Sequence, residues 1–240
     1  MAQAGKISEE ARRQFAPQQT PRKVDVKNAR KYYLIVCEGA KTEPQYFEAL
    51  VSDLPQPVAE VCRFDIDGAG RSTLSLVEYA LEKRNKLEAS HTRIIDSLWL
   101  VFDKDSFDAG DFNNAINKCE TASNQEQKVA AAFTNEAFEL WYLLHFNYHD
   151  TGLSRNQYAD KLNQAIENVY GNKFDYKKND PNIYWLLKKY GSQNLAIRFA
   201  KKLIDEKWKG QKDYANHNPS TRVHELISEL LDLEKELKKE

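Results

Sequence analysis

Between Lys31 and Thr134 four short β-forming runs alternate with stretches of helical apolar spacing. This alternation is what most restricts the fold. The runs are KYYLIVCEG (31–39), VAEVCRFDIDG (58–68), SLWLVFDKD (97–105) and KVAAAFT (128–134). The first and third are apolar without a two-residue period, as strands covered on both faces are. TEPQYFEALVSDL (42–54) follows the first run with Tyr46, Phe47, Leu50 and Leu54 at helical spacing. Thr42 suits its N-cap, and Pro44 is tolerated in a first turn. Helices are also expected over 70–88 and 110–122. Asn135 is expected to cap a helix over 136–146, EAFELWYLLHF, which is apolar nearly all round and so belongs in the interior. The pattern predicts an α/β fold, a mostly parallel sheet flanked by helices.

The remainder reads as helical. Residues 192–210 and 218–239 carry amphipathic stripes, the first through Leu195, Phe199 and Leu203, the second through Val223, Leu226, Ile227 and Leu230. The expected organisation is a flexible basic arm over 1–30, an α/β core over 31–150, and a helical region over 151–240 packed on that core.

The chain has 240 residues, 41% hydrophobic, with a formal net charge of −1. That composition excludes wholesale disorder. No apolar run approaches the length of a membrane span, and the first residues have no apolar core of a secretory signal. The three cysteines, Cys37, Cys62 and Cys119, form no metal pattern or disulfide framework. A soluble, cytoplasmic protein is expected.

The near-zero charge is a sum of opposites. Residues 1–30 hold seven basic and three acidic groups, and residues 31–154 hold 11 and 20. Residues 155–213 hold 13 basic and seven acidic groups. Segregated charge is a statement about partners. Lys188, Lys189, Arg198, Lys201 and Lys202, interleaved with Trp185, Tyr190 and Trp208, suit a nucleic-acid strand, and Lys41 could meet a phosphate. Solvated surface lysines are the plainer reading of each.

In an open parallel sheet, ligands bind outside the C-terminal strand ends. Glu38 ends the first run, and Asp103 and Asp105 end the third. In extended chain the Asp-x-Asp spacing puts both carboxylates on one side. Three converging carboxylates repel unless a cation lies among them, and oxygen ligands suit Mg²⁺ or Mn²⁺. The chemistry suggested is metal-assisted attack on a phosphodiester. Glu139, an acid inside an apolar helix, must be paired, protonated or bound to a cation, and is a fourth candidate ligand. Asp67-Gly-Ala-Gly-Arg-Ser-Thr73 reads as a tight turn with a Ser or Thr cap rather than a phosphate loop.

These residues carry a resemblance. The strand-final Glu-Gly and Asp-x-Asp resemble the Toprim domain, the metal-binding α/β domain of topoisomerases, primases and OLD-type nucleases. More closely, CEGAKTEPQYFEAL (37–50), LWLVFDKDSFD (98–108), FTNEAFELWYLLHF (133–146) and NPSTRVHELISEL (218–230) are similar, in order, to the RloB-like family. Glu136 stands where that family's motif has proline. Both suit a first helical turn.

The resemblance implies a Toprim-like fold and a Mg²⁺- or Mn²⁺-dependent nuclease acting on DNA or RNA. It also implies an anti-phage or restriction-linked role beside an ABC/SMC-like ATPase. Glu38, Asp103 and Asp105 would be catalytic, with Glu139 as a further metal ligand. Glu43, Asn135 and His145 are secondary candidates. Their plainer readings are a first-turn acid, a helix cap and a core histidine. Two other classes of function compete. One is a Toprim-like scaffold that binds a partner without cutting. The other is a HAD-like phosphatase, which uses Asp-x-Asp on its first strand.

Overall fold

The computed structural model describes residues 31–91, 94–105 and 108–237. The expected arm over 1–30 lies outside them. The strands are β1 Lys31–Cys37, β2 Cys62–Gly68, β3 Ser97–Asp103 and β4 Lys128–Thr134. They form one all-parallel sheet in the order β2-β1-β3-β4. The helices are α1 Thr42–Ser52, α2 Gln56–Val61, α3 Thr73–His91, α4 Ala109–Ala122, α5 Glu139–Leu143, α6 Arg155–Tyr170, α7 Ile183–Tyr190, α8 Gln193–Leu203 and α9 Val223–Leu237. No helix among the described residues is long and apolar enough to cross a membrane.

Each buried strand divides its side chains between two cores, because successive residues point to opposite faces. Tyr33, Ile35, Cys37, Trp99, Val101 and Ala132 pack with α1, α5 and the C-terminal helices α6 to α9. Tyr32, Leu34, Val36, Leu98, Leu100 and Phe102 pack with α3 and α4. The order reverses between β1 and β3: β1 leads to β2 on one side, while β3 and β4 extend the other. A crevice opens outside the carboxyl ends at such a reversal.

Four local expectations are corrected. Thr42 is the first residue of α1 rather than its cap; Lys41 precedes it without a side-chain cap bond, and the Thr42 hydroxyl bonds Asn179. VAEV (58–61) is helical, and the strand begins at Cys62. The 136–146 segment is buried as expected but helical only over Glu139–Leu143. Glu136 takes a left-handed φ of 70°, which breaks the chain between Asn135 and α5. Asn135 therefore caps nothing. Its amide NH₂ donates to the Tyr214 carbonyl at 2.9 Å, and its backbone N–H donates to Ser220 O at 2.9 Å.

The expected 192–210 helix is α8 followed by a π-helical turn, Ile204–Trp208. The last helix starts at Val223, after a bridge between Thr134 and Thr221. The Asp67 turn holds Gly70 at φ 60°, and Asp67 itself is engaged by Tyr79 and Lys83, both at 2.7 Å.

Candidate active site

The reversal between β1 and β3 places Glu38 and Asp103 side by side. Glu38 continues the ladder by donating its N–H to Val101 O at 2.8 Å. Its carboxylate Oε2 accepts the Asp103 N–H at 3.1 Å. Asp103, the last residue of β3, is buried, and its Oδ2 accepts the Phe138 N–H at 3.0 Å. The break at Glu136 is what brings that N–H, at the start of α5, over the strand end.

Two further carboxylates join them. Glu43, in the first turn of α1, is buried beside Gly39, where a Cβ would run into Glu43 Oε2. Glycine at 39 therefore makes the cradle for this carboxylate. Glu139, the first residue of α5, is buried and accepts the Tyr176 hydroxyl at 2.9 Å. Two carboxylate oxygens, Asp103 Oδ1 and Glu43 Oε2, are buried without a hydrogen-bond partner.

Such a set is unfavourable when fully ionised. Burial, then the neighbouring Glu43, Glu139 and Glu38 charges, hold the Asp103 carboxyl well above the usual range. Burial and Glu139 raise Glu43, against the pull of Lys178 and Arg155. Burial raises Glu38 to about 7, against the Asp103 N–H, with Glu43 and Asp105 adding to the rise. Among the described residues no three His, Cys, Asp or Glu side chains stand in ready coordination geometry. The donor set, all oxygen and partly unpartnered, fits a hard divalent cation.

Asp105 departs from the extended geometry expected of it. Its φ of 37° turns the chain after β3, and its Oδ2 pairs with Arg155 Nη1 at 2.8 Å. It stays an electrostatic neighbour of Glu38 rather than a companion of Asp103. The Asp-x-Asp stands on the third strand in sequence, which a HAD-like arrangement would not have.

His145 and Asn135 lie outside the cluster's hydrogen bonds. The His145 ring sits edge-on to Trp141, its Nδ1 is 2.9 Å from Trp141 O, and burial lowers its pKa to about 4. It is a neutral core histidine against which Gly191 packs closely.

The basic residues expected to bind nucleic acid are dispersed. Lys41 is exposed at the start of α1, beside Glu43. Lys188 pairs with Asp53 at 2.5 Å, at the far end of α1 and roughly 15 Å of helix rise from Glu43. Lys189 stacks over Tyr190 and Arg198 over Phe199. Lys201 is exposed on α8, and Lys202 lies over Tyr148.

The cations that do act on the acids are Arg155 and Lys178. They went unnoticed in the sequence, as did Tyr176 and Asn179. The only available signal was the general basic excess of 155–213.

No curated protein and no solved structure matches the chain. A family model does match, over residues 33–230, and its description is RloB-like protein.

Proposed function

Because the chain belongs to the RloB-like family, we propose that it is a divalent-metal-dependent nuclease that hydrolyses phosphodiester bonds of DNA or RNA. The observation that carries this reading is Asp103 Oδ1, a buried carboxylate oxygen with no partner, at the strand reversal between three other acids. Buried polar atoms are almost always satisfied, and an orphan in a cluster of raised acids supports a functional reading of the cluster.

Asp103, Glu38, Glu43 and Glu139 would hold Mg²⁺ or Mn²⁺. When bound, the ion supplies charge neutralisation at the phosphate and acidifies a coordinated water. Glu38, poised near neutral pH, accepts the proton of the attacking water at a carboxylate oxygen. Asp103 is oriented for its task by the Phe138 N–H. Tyr176 holds Glu139 in place by its hydroxyl. Arg155, paired with Asp105 and close enough to lower the Glu38 pKa, would offer a cation to developing phosphate charge. The proposal extends to an anti-phage or restriction-linked role beside an ABC/SMC-like ATPase, which the resemblance to the family implies. Co-purification with that ATPase tests the partnership.

The test of the activity is cleavage of a panel of DNA and RNA by the chain, alone and with that ATPase, in Mg²⁺, Mn²⁺ or EDTA. Scission only with metal, lost in Glu38→Gln and Asp103→Asn, is expected. Scission that survives both substitutions overturns the site. Binding without scission in any metal indicates a scaffold.

A further inference from the structure

A cleft of about 140 Å³ lies at the carboxyl end of β4, and none of the acids above lines it. Its walls include Trp208, His217, Tyr214, Phe133, Arg222 and Lys212, with no Asp or Glu among the lining residues. We propose that it seats one unstacked nucleobase of a single-stranded substrate. This proposal deepens the nucleic-acid reading above and rests on it.

Size, surface and charge all point to a planar ring with a backbone of phosphates. A cavity of about 150 Å³ holds one benzene-sized ring, so a pyrimidine fits better than a larger ligand. The surface is aromatic: Trp208 stacks on His217 with centroids 4.8 Å apart and planes at 13°, and Tyr214 meets His217 edge-on at 5.4 Å. Trp208 is fixed by its Nε1, which donates to Pro219 O at 2.9 Å. A preset aromatic face is what single-stranded bases stack on. His217 is buried, and its Nε2 has no hydrogen-bond partner. Arg222 lies over the Tyr214 ring at 5.3 Å and 3.6 Å from Glu225, and with Lys212 it gives the cleft wall two basic side chains.

The cleft also lies in the right place. Asp103 is in register with Thr134 on the adjacent strand, about 4.8 Å away. From that strand end Phe133 O accepts the Arg222 N–H at 2.8 Å, and Ser220 O accepts the Asn135 N–H. The loop that forms the cleft is thus sewn to the strand beside the acids. Phe133 and Tyr214 belong to the α3–α4 face, so a strand seated in the cleft would cross the carboxyl edge of the sheet to reach the acids.

The test is equilibrium binding of the full chain, in EDTA, to a labelled twelve-residue oligothymidylate and to its abasic counterpart. EDTA separates this from cleavage. The thymidylate should bind roughly tenfold more tightly than the abasic strand. Trp208→Leu should erase that preference, Trp208→Phe should keep most of it, and Lys212→Ala should weaken both strands alike. Equal binding of the two strands by the parent, or an intact preference in Trp208→Leu, overturns the proposal.

Should Trp208→Leu not fold, photocrosslinking of a 4-thiothymidine strand to the parent chain decides. Crosslinks within 204–222 support the cleft, and crosslinks confined elsewhere overturn it. A base preference without metal-dependent scission would leave the cleft standing and the nuclease reading refuted.

Discussion

The N–H of Asp103 donates to the Glu38 carboxylate at 3.1 Å, so the last residue of β3 and the residue after β1 are locked together across the strand reversal. Burial raises the pKa of both acids; Glu38 adds to the rise at Asp103, while the Asp103 N–H works against the rise at Glu38.

Asp103→Asn is therefore expected to stabilise the metal-free protein while abolishing cleavage. The substitution replaces a carboxyl that must take up a proton to sit in a repelling set with an amide that is always neutral, and it keeps the acceptor for the Phe138 N–H. A gain of about 1–3 kcal/mol follows from removing the cost of a carboxyl whose pKa is raised on folding. Thermal unfolding in EDTA reads it, and a clear loss of stability would show that the Asp103 carboxylate is held favourably.

The pH dependence has a definite sign. Glu38 has a folded pKa of about 7, above its ordinary value of 4.5. Between those values the folded chain binds more protons than the unfolded one, so metal-free stability falls as pH rises through that window. Cation binding requires the ionised form and should strengthen across the same range, with proton release. At subsaturating metal, cleavage should rise across the same range. A profile flat from pH 5 to 8 would remove Glu38 from the base role.

Arg155→Ala should leave stability within about 1 kcal/mol, since its pair with Asp105 is partly exposed. The loss of its charge should move the cleavage profile to higher pH, because Arg155 lowers the Glu38 pKa. Lys188→Ala, at the other end of α1, should leave that profile in place. Parallel pH–rate curves separate the two.

Gly39→Ala should damage the site out of proportion to its size. A methyl group there meets Glu43 Oε2, so either the carboxylate or the loop after β1 must move. Divalent-cation stabilisation, which reaches about 2.7 kcal/mol for a ligand at a hundred times its dissociation constant, should be largely lost in this variant. Equal melting shifts in parent and variant would place Glu43 outside the cation site.

Much of this was legible in the chain itself. β1, β3 and β4 stand out because strands covered on both faces need uninterrupted apolar residues, and Glu38 and Asp103 fall where such strands end. The 136–146 segment was harder. A stretch apolar on every side is buried whatever its conformation, so periodicity could not reveal the left-handed Glu136 that ends the strand exit and starts α5 late. Asp105 was placed by assuming extended backbone one residue too far. Tyr176, Lys178 and Arg155 could not be found by spacing at all. Tyr176 stands 37 residues from the Glu139 it holds, and Asn179 stands 137 from Thr42. Only the folding of the C-terminal helices onto the face that carries α1 and α5 brings them in.

The central claim is that the acids at the β1–β3 reversal hold a divalent cation. Titration of Mn²⁺ into the full chain, followed by electron paramagnetic resonance, tests it most directly. The expected result is saturable binding in the parent, tighter at pH 8 than at pH 6, and lost in both Asp103→Asn and Glu38→Gln. Binding that persists unchanged in both variants, or none in the parent at millimolar Mn²⁺, would contradict it.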